Sequence, residues 1–255
     1  MQTALAGRRV TRFETVLVQL ARVDDQTPVA GRTIERVRAE GKHLIVELSG
    51  DLQLRSHMRM HGSWHLYRPG ERWRKRRDDM RVVIETDEWV AVAFNVPIAE
   101  FHDARSLARQ EDLREIGPDL LAETFDAEEA KRRIRARGDD EIADVIVNQR
   151  VVSGIGNEYK SELLFLAGVH PYARVSDVSD ARLDELLRIA RRLMLANIRK
   201  RSPQRVTTFS LDPAQSKYVY GRGKQPCRKC GTPVEFAKQG LYARPTYWCP
   251  RCQPL

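Results

Sequence analysis

Residues 151–165 read VVSGIGNEYKSELLF. Segments of helical period lie on both sides, so Val151 to Asn157 reads as the turn between two helices, with Asn157 as N-cap of the second and Gly168 as its stop. Glycine in that turn lets the backbone approach closely, and the new helix offers unpaired N–H groups, which together make a ready phosphate site. The same run also describes an ordinary helical hairpin. Working outward, residues 126–137, 140–149 and 180–198 carry apolar side chains at three- and four-residue spacing, so the chain beyond about residue 116 is helical. The charged stretch 106–114 and the Gly117-Pro118 break separate it from a different pattern. Before the break the segments 8–22, 33–37, 42–48, 52–58, 81–85 and 90–95 read as strands. Ser49-Gly50-Asp51 and Thr86-Asp87-Glu88 serve as hairpin turns. The expected class is α+β.

The chain has 255 residues and a formal charge of +9, from 44 Lys+Arg against 35 Asp+Glu. That length holds one large or two small domains with real cores, and 42% hydrophobic residues exclude disorder throughout. No run approaches the roughly 18 apolar residues of a membrane span, and MQTALAGRRV lacks the apolar centre of a signal peptide. The expectation is a soluble cytoplasmic protein with no membrane partner. The basic runs RWRKRR (Arg72–Arg77) and NIRKRSPQR (Asn197–Arg205) favour a polyanionic partner through counterion release. A solvated surface explains them equally. The loops 66–80 and 202–216 carry no expected role beyond that of basic, mobile connections.

The four cysteines follow C-x2-C-x18-C-x2-C: Cys227, Cys230, Cys249 and Cys252. Two such pairs supply the four thiolates of one closed, structural Zn²⁺ site, which leaves no open position for catalysis and folds a segment too small to fold alone. Two disulfides are the rival, disfavoured in a reducing compartment. Lys238, Arg244 and Tyr247 within the loop give a cation-rich, partly aromatic surface. That surface suits nucleic acid, and it also suits a finger that only packs or binds protein.

Three runs occur in family order: EGKHLIVEL with RSHMRMHGSW (Glu40–Leu48, Arg55–Trp64), GIGNEYKSELLF (Gly154–Phe165), and VYGRGKQPCRKCGTPV with YWCPRCQ (Val219–Val234, Tyr247–Gln253). Together they resemble the formamidopyrimidine-DNA glycosylase / endonuclease VIII family of base-excision-repair enzymes, closer to the endonuclease VIII-like branch, over nearly the whole chain. The resemblance implies an N-terminal β-sandwich (1–115), a helical domain with a helix-two-turn-helix (116–205) and a four-cysteine zinc finger (206–255). It also implies double-stranded damaged DNA in the cleft between domains, and a monomer. It implies that Lys42 sits near the lesion phosphate and assists catalysis, and that Asn157 and Arg244 grip the phosphates around an everted nucleotide. His57 would contact the backbone, and Arg59, Met60 and His61 would fill the gap left by eversion. Without the resemblance Lys42 reads as a solvent-facing charge, Arg244 as a generic cation and Met60 equally as core.

The start departs from the family. Relatives begin Pro-Glu, whose proline amine attacks C1′ of the damaged nucleotide, forms a Schiff base and leads to β- and δ-elimination while the glutamate handles protons. This sequence begins MQTALAG, which reads as the end of a helix stopped at Gly7 and is too short to hold by itself. The expectation is that the nucleophile lies upstream of the recorded start. The implied function is a bifunctional DNA glycosylase and abasic-site lyase acting on oxidised bases, pyrimidines in this branch. The alternative is a protein that binds abasic or everted sites without cleaving them.

Overall fold

The computed structural model describes residues 1–255 except 42, 60, 201–204, 209–211, 213 and 214, and the side chains of 112, 199 and 200. It divides into two compact units, Met1–Arg114 and Glu115–Leu255. The first contains α1 (Gln2–Leu5), β1 (Arg12–Thr15), α2 (Val18–Gln26), β2 (Ile34–Glu40), β3 (His43–Leu48), β4 (Leu52–His57), β5 (Ser63–Tyr67), β6 (Met80–Glu85), β7 (Val90–Phe94), β8 (Ile98–His102), α3 (Ala104–Ala108) and α4 (Glu111–Arg114).

Eight strands form two antiparallel sheets of four, ordered β1-β6-β7-β5 and β2-β3-β4-β8. Alternation along the strands turns Val82, Ile84, Ala91 and Ala93 of one sheet toward Ile34, Val46, Leu48, Leu54 and Ala99 of the other, and these side chains make one buried cluster. The result is a β-sandwich. Residues 8–22, expected as strand, split at Val16 and Leu17: only Arg12–Thr15 pairs with β6, and Val18–Gln26 is helix. The Val-rich composition suggested a strand, whereas Leu17 and Leu20 stand three residues apart and both pack on the sandwich core.

β7 is buried on both faces. Its Val90, Val92 and Phe94 join Tyr67, Met80 and Val83 in a second cluster, against which Trp73 packs. The Trp73 ring lies edge-on to Phe94 at 5.6 Å and over Tyr67 at 6.5 Å. The run 66–80 is thus more than a basic connection, because its tryptophan covers the outer face of a sheet and a 3-10 turn, Arg77–Asp79, leads into β6. Of the run 202–216, Thr207 and Thr208 are buried, and 202–204, 209–211, 213 and 214 lie outside the described residues.

The second unit contains α5 (Ala127–Arg135), α6 (Ile142–Ile146), α7 (Asn157–Ala167), α8 (Asp180–Lys200) and the hairpin β9 (Glu235–Gln239) and β10 (Arg244–Trp248). Its helical core gathers Ile142 and Ile146 of α6, Leu163 and Leu164 of α7, and Leu186, Leu187, Ala190 and Met194 of α8. Every residue from Tyr159 to Phe165 is buried, including Lys160, Ser161 and Glu162. A helix buried all round with three polar residues in sequence needs a polar partner on its second face, since unpaired polar groups are costly inside. The C-terminal hairpin and the strand of chain before it supply that partner. α7 ends as read, at Gly168 with φ +65°.

Candidate nucleic-acid interface and metal centre

The turn before α7 is folded around one side chain. Gln149 donates from Nε2 to the carbonyls of Val147 (3.0 Å) and Ile155 (2.9 Å) and accepts from the Gly154 N–H (3.1 Å). Gly154 has φ +107°, a backbone conformation that favours glycine, while a Cβ there would lie 2.7 Å from Met194 Cε, the flexible end of a side chain that can give way. The N-cap of α7 is Gly156, with extended backbone, and Asn157 is the first helical residue. This corrects the reading of Asn157 as the cap by one position. Its side chain is released for a longer reach.

Asn157 Nδ2 donates to the Pro245 carbonyl at 2.8 Å, and one helical turn later Ser161 Oγ accepts from the Tyr247 N–H at 3.1 Å. Residues i and i+4 of a helix share a face, and residues i and i+2 of a strand present the same backbone edge, so the two side chains cover the outer edge of β10. Lys160, fully buried between them, donates from Nζ to Thr246 Oγ1 at 2.5 Å. Arg244 immediately precedes Pro245 and is thereby carried to the N-terminal turn of α7. The structure therefore brings together Asn157 and Arg244, two residues singled out from distant parts of the sequence. Asn157 Oδ1 is buried with no hydrogen-bond partner among the described residues.

Burial pulls the Lys160 ammonium down to about 8, opposed by Asp144 and reinforced by Arg244. Burial also pushes the Asp144 carboxyl up, with Lys160 and Arg244 acting the other way. Lys160, fully buried, is out of reach of a solvated ligand and serves to seat the hairpin. Glu162 does the same on a larger scale. Its Oε2 accepts from Tyr218 N and its Oε1 from Val219 N and Tyr220 N, all at 2.8 Å, and the Thr207 hydroxyl also donates to Oε2. Sequence reasoning missed Lys160, Glu162 and Gln149. The available signal was the polar triplet Lys160-Ser161-Glu162 inside an otherwise apolar helix.

The four cysteine sulfurs lie within 4.8 Å of one another, with Cys227–Cys252 at 3.9 Å and Cys230–Cys249 at 3.5 Å. A metal about 2.3 Å from each of four tetrahedral sulfurs sets them about 3.8 Å apart. The observed spacing fits such a centre and is far beyond the roughly 2.05 Å of a disulfide. The Cys249 N–H donates to Gln253 Oε1 (2.9 Å), while Gln253 Nε2 donates to the Val169 carbonyl (2.8 Å), tying the finger to the end of α7.

In the first unit, His57 closes β4 and pairs across the ladder with His43, the rings stacked at 4.4 Å. Buried Arg55 donates to His43 Nδ1 (3.2 Å) and to Gln110 Oε1 (3.1 Å), so the base of the histidine pair is held by a guanidinium. The loop after His57 is pinched shut: the Gly62 N–H donates to the Met58 carbonyl at 2.8 Å. Arg59 takes φ +44°, and Met58 packs on the sandwich core. The methionine anchored in the core is thus Met58. Arg59 and His61, with Met58, line a groove of about 600 Å³ whose other wall is Arg81 and Asn95, Val96 and Pro97. Met60, and Lys42 between Gly41 and His43, lie outside the described residues.

A Cβ at Gly62 would sit 2.6 Å from the Met58 carbonyl oxygen and 2.9 Å from its Cα. Backbone cannot swing away as a side chain can, so Gly62→Ala is expected to force the loop open and cost about 1 to 3 kcal/mol. Denaturation midpoints of the two proteins measure this, and an unchanged midpoint would mean that the pinch is not needed.

Comparison with known proteins follows the same division. Residues 1–110 match the model of the formamidopyrimidine-DNA glycosylase N-terminal domain, and residues 116–208 match that of the formamidopyrimidine-DNA glycosylase H2TH domain. The chain is 39% identical to a probable endonuclease 8 2 of Streptomyces coelicolor, over 99% of this chain and 89% of that protein. It is 32% identical to the DNA-(apurinic or apyrimidinic site) lyase Nei2 of Mycolicibacterium smegmatis, over 99% and 94%. Among solved structures, MutM in complex with DNA containing carbocyclic 8-oxo-G superposes with a TM-score of 0.81 at 22% identity, covering 100% of this chain and 95% of the other. The Lactococcus lactis Fpg complex with abasic-site DNA gives the same values.

Proposed function

The chain belongs to the formamidopyrimidine-DNA glycosylase family, and on that premise we propose that it is a base-excision-repair glycosylase and abasic-site lyase of the endonuclease 8 branch, acting on oxidised bases in duplex DNA. The observation that supports this best is the hydrogen bond from Asn157 to the Pro245 carbonyl, which ties the start of α7 to the backbone immediately after Arg244. A phosphate there meets backbone N–H groups and a cation together. In this reading Asn157 and Arg244 hold the phosphates of an everted nucleotide. His57 contacts the backbone, and Arg59, Met60 and His61 occupy the space the nucleotide leaves. Lys42, beside Gly41, assists at the lesion phosphate. The four cysteines hold one structural Zn²⁺, and the protein acts as a cytoplasmic monomer.

Chemistry at C1′ needs a neutral amine, and in this family an N-terminal proline provides it. The test is incubation of the protein with abasic-site duplex, with and without borohydride. Strand cleavage and a reduced covalent adduct at the N-terminal amine are expected. Tight binding without either product would replace this reading by that of a non-catalytic abasic-site binder. Asn157→Ala should weaken binding to the same duplex by about tenfold at physiological salt, the equivalent of one charge-assisted hydrogen bond. An unchanged dissociation constant would remove Asn157 from the phosphate grip.

A further inference from the structure

Successive residues of a strand point to opposite faces, so Gln53, Arg55 and His57 of β4 share the face turned away from Leu54 and the sandwich core. The ladder sets His43 of β3 directly opposite His57, and Glu100 of β8 directly opposite Arg55. These polar residues make one patch on the outward face of the sheet. Such residues are ordinarily solvated, yet His43 is 6% exposed and Arg55 4%, while His57 is only half-buried.

Arg55 joins the patch together. It donates from Nε to His43 Nδ1 at 3.2 Å and from Nη1 to Gln110 Oε1 at 3.1 Å, and it pairs with Glu100 Oε2 at 3.4 Å. A guanidinium has donors and no acceptor. Nδ1 of His43 is therefore the accepting nitrogen, and the ring proton sits on Nε2. A second proton would have to enter at Nδ1, where it meets the Arg55 N–H and its positive charge, so the contact keeps His43 neutral. The His43 ring lies 4.4 Å from that of His57, with 23° between their planes. A neutral ring is a favourable platform for a stacked cation, and a charged one is not.

We propose that Arg55 is a positioning residue that confines the proton of the histidine pair to His57, so that His57 takes up one proton as it meets a DNA phosphate. The inference rests on the reading of His57 as a contact to the DNA backbone and adds the charge state in which it acts. The charged and titratable groups around the pair are Arg55 on β4, Glu100 and His102 on β8, Glu40 opposite His43 on β2, and Lys42, next to His43 in sequence. Glu100 is engaged by Arg55 and by His102 at 3.3 Å, and Glu40 is paired with Arg38. An ordinary imidazole is mostly neutral at pH 7.5, and a phosphate oxygen favours its charged form, so binding draws in a proton. Affinity accordingly rises as pH falls through the imidazole range.

The experiment is an anisotropy titration of duplex carrying a tetrahydrofuran abasic analogue, at fixed ionic strength from about pH 5.5 to about pH 7.5. Proton–nitrogen NMR of the histidine rings accompanies it. It compares the wild-type chain with His57→Gln, Arg55→Met and Arg55→Lys. Wild-type affinity is expected to gain about fivefold over His57→Gln across that range as pH falls, the effect of one proton shared with phosphate. Other titrating histidines are common to both proteins and cancel. His43 should show a protonated Nε2 and a bare Nδ1 throughout. Arg55→Met keeps the stem and loses the donors, so His43 should then titrate and the pH response should shrink toward that of His57→Gln. Arg55→Lys restores a charged donor and should recover both the His43 tautomer and the response.

Equal pH responses of wild type and His57→Gln would overturn the proposal, and so would a His43 proton on Nδ1. Neither measurement alters Arg55, so both decide the matter even where melting shows that Arg55→Met does not fold. A folded Arg55→Met variant with the full wild-type response would overturn it too, since the arginine would then only brace the sheet. Absence of wild-type binding at every pH would remove the DNA-binding reading and the proposal with it. That outcome is told apart by a His43 tautomer that stays as expected while no duplex is bound.

Discussion

Glu162→Ala is expected to lower stability by about 3 to 5 kcal/mol, the loss typical when one partner of a buried ionic hydrogen-bond network is deleted. The carboxylate accepts from three successive backbone N–H groups, Tyr218, Val219 and Tyr220, at 2.8 Å each. Alanine leaves those donors buried and unpaired, and no neighbouring acceptor replaces two oxygens at once. Glu162→Gln separates hydrogen bonding from packing. If its carbonyl takes the place of Oε1, it still accepts from Val219 and Tyr220, while the amide nitrogen faces the Tyr218 N–H and the Thr207 hydroxyl turns to accept from it. One donor is then lost instead of three, so the cost falls to about 1 to 3 kcal/mol. Urea denaturation of the two variants should rank wild type above Gln above Ala. Equal midpoints for wild type and alanine would show that water replaces the carboxylate.

The functional consequence follows from chain order. Residues 218–220 lead directly to Cys227, and Phe165 of α7 shares a small buried cluster with Val219, Val234, Cys227 and Cys249. Loosening the first link frees the finger to shift against α7, and Arg244 moves with it. Binding to abasic DNA should therefore weaken in the same order as stability, although Glu162 is fully buried and touches no ligand.

Local pattern carried the turn before α7, the two hairpins of the sandwich and the four-cysteine spacing, because each depends on residues within one or two turns of each other. The resemblance added Asn157 and Arg244, and the structure ties Asn157 to Pro245, the residue after Arg244, through a hydrogen bond spanning 88 residues of sequence. What stayed hidden was long-range. Glu162 reads as one charge in a helix until the N–H groups 56 to 58 residues later are seen to converge on it. Lys160 likewise has no apolar-face signature, since its partner is a threonine on a strand 86 residues away. β5 went unread because Ser63 and His65 interrupt its apolar character; there they hydrogen-bond to each other, and His65 to Tyr67, on a half-buried face. Helix α2 was lost to composition, where valines outweighed the spacing of Leu17 and Leu20.

Removing the metal should have the largest effect. Structural zinc in small fingers contributes about 10 to 16 kcal/mol of apparent binding free energy at neutral pH, which is folding free energy when the site does not preexist. Here the finger has few alternatives. Its buried cluster holds Phe165, Val219, Val234, Cys227 and Cys249, so two of its five members belong to the four-cysteine set that would hold the metal. Without the ion the four thiols fill the centre with nothing to hold them, and the remaining apolar area is too small for a core. The hairpin β9–β10 should then melt, taking Pro245, Tyr247 and Thr246 from Asn157, Ser161 and Lys160. Helix α7 should persist, because Leu163 and Leu164 remain in the helical core. Chelation should accordingly leave most of the helical circular dichroism, open residues 225–253 to proteolysis, and abolish the high-affinity fraction of abasic-DNA binding. Readdition of zinc should restore both. If the chelator strips the metal stoichiometrically while binding and protease resistance stay unchanged, the hairpin is held by α7 alone. The side-chain hydrogen bonds of Asn157, Lys160, Ser161 and Glu162 would then be sufficient to position Arg244.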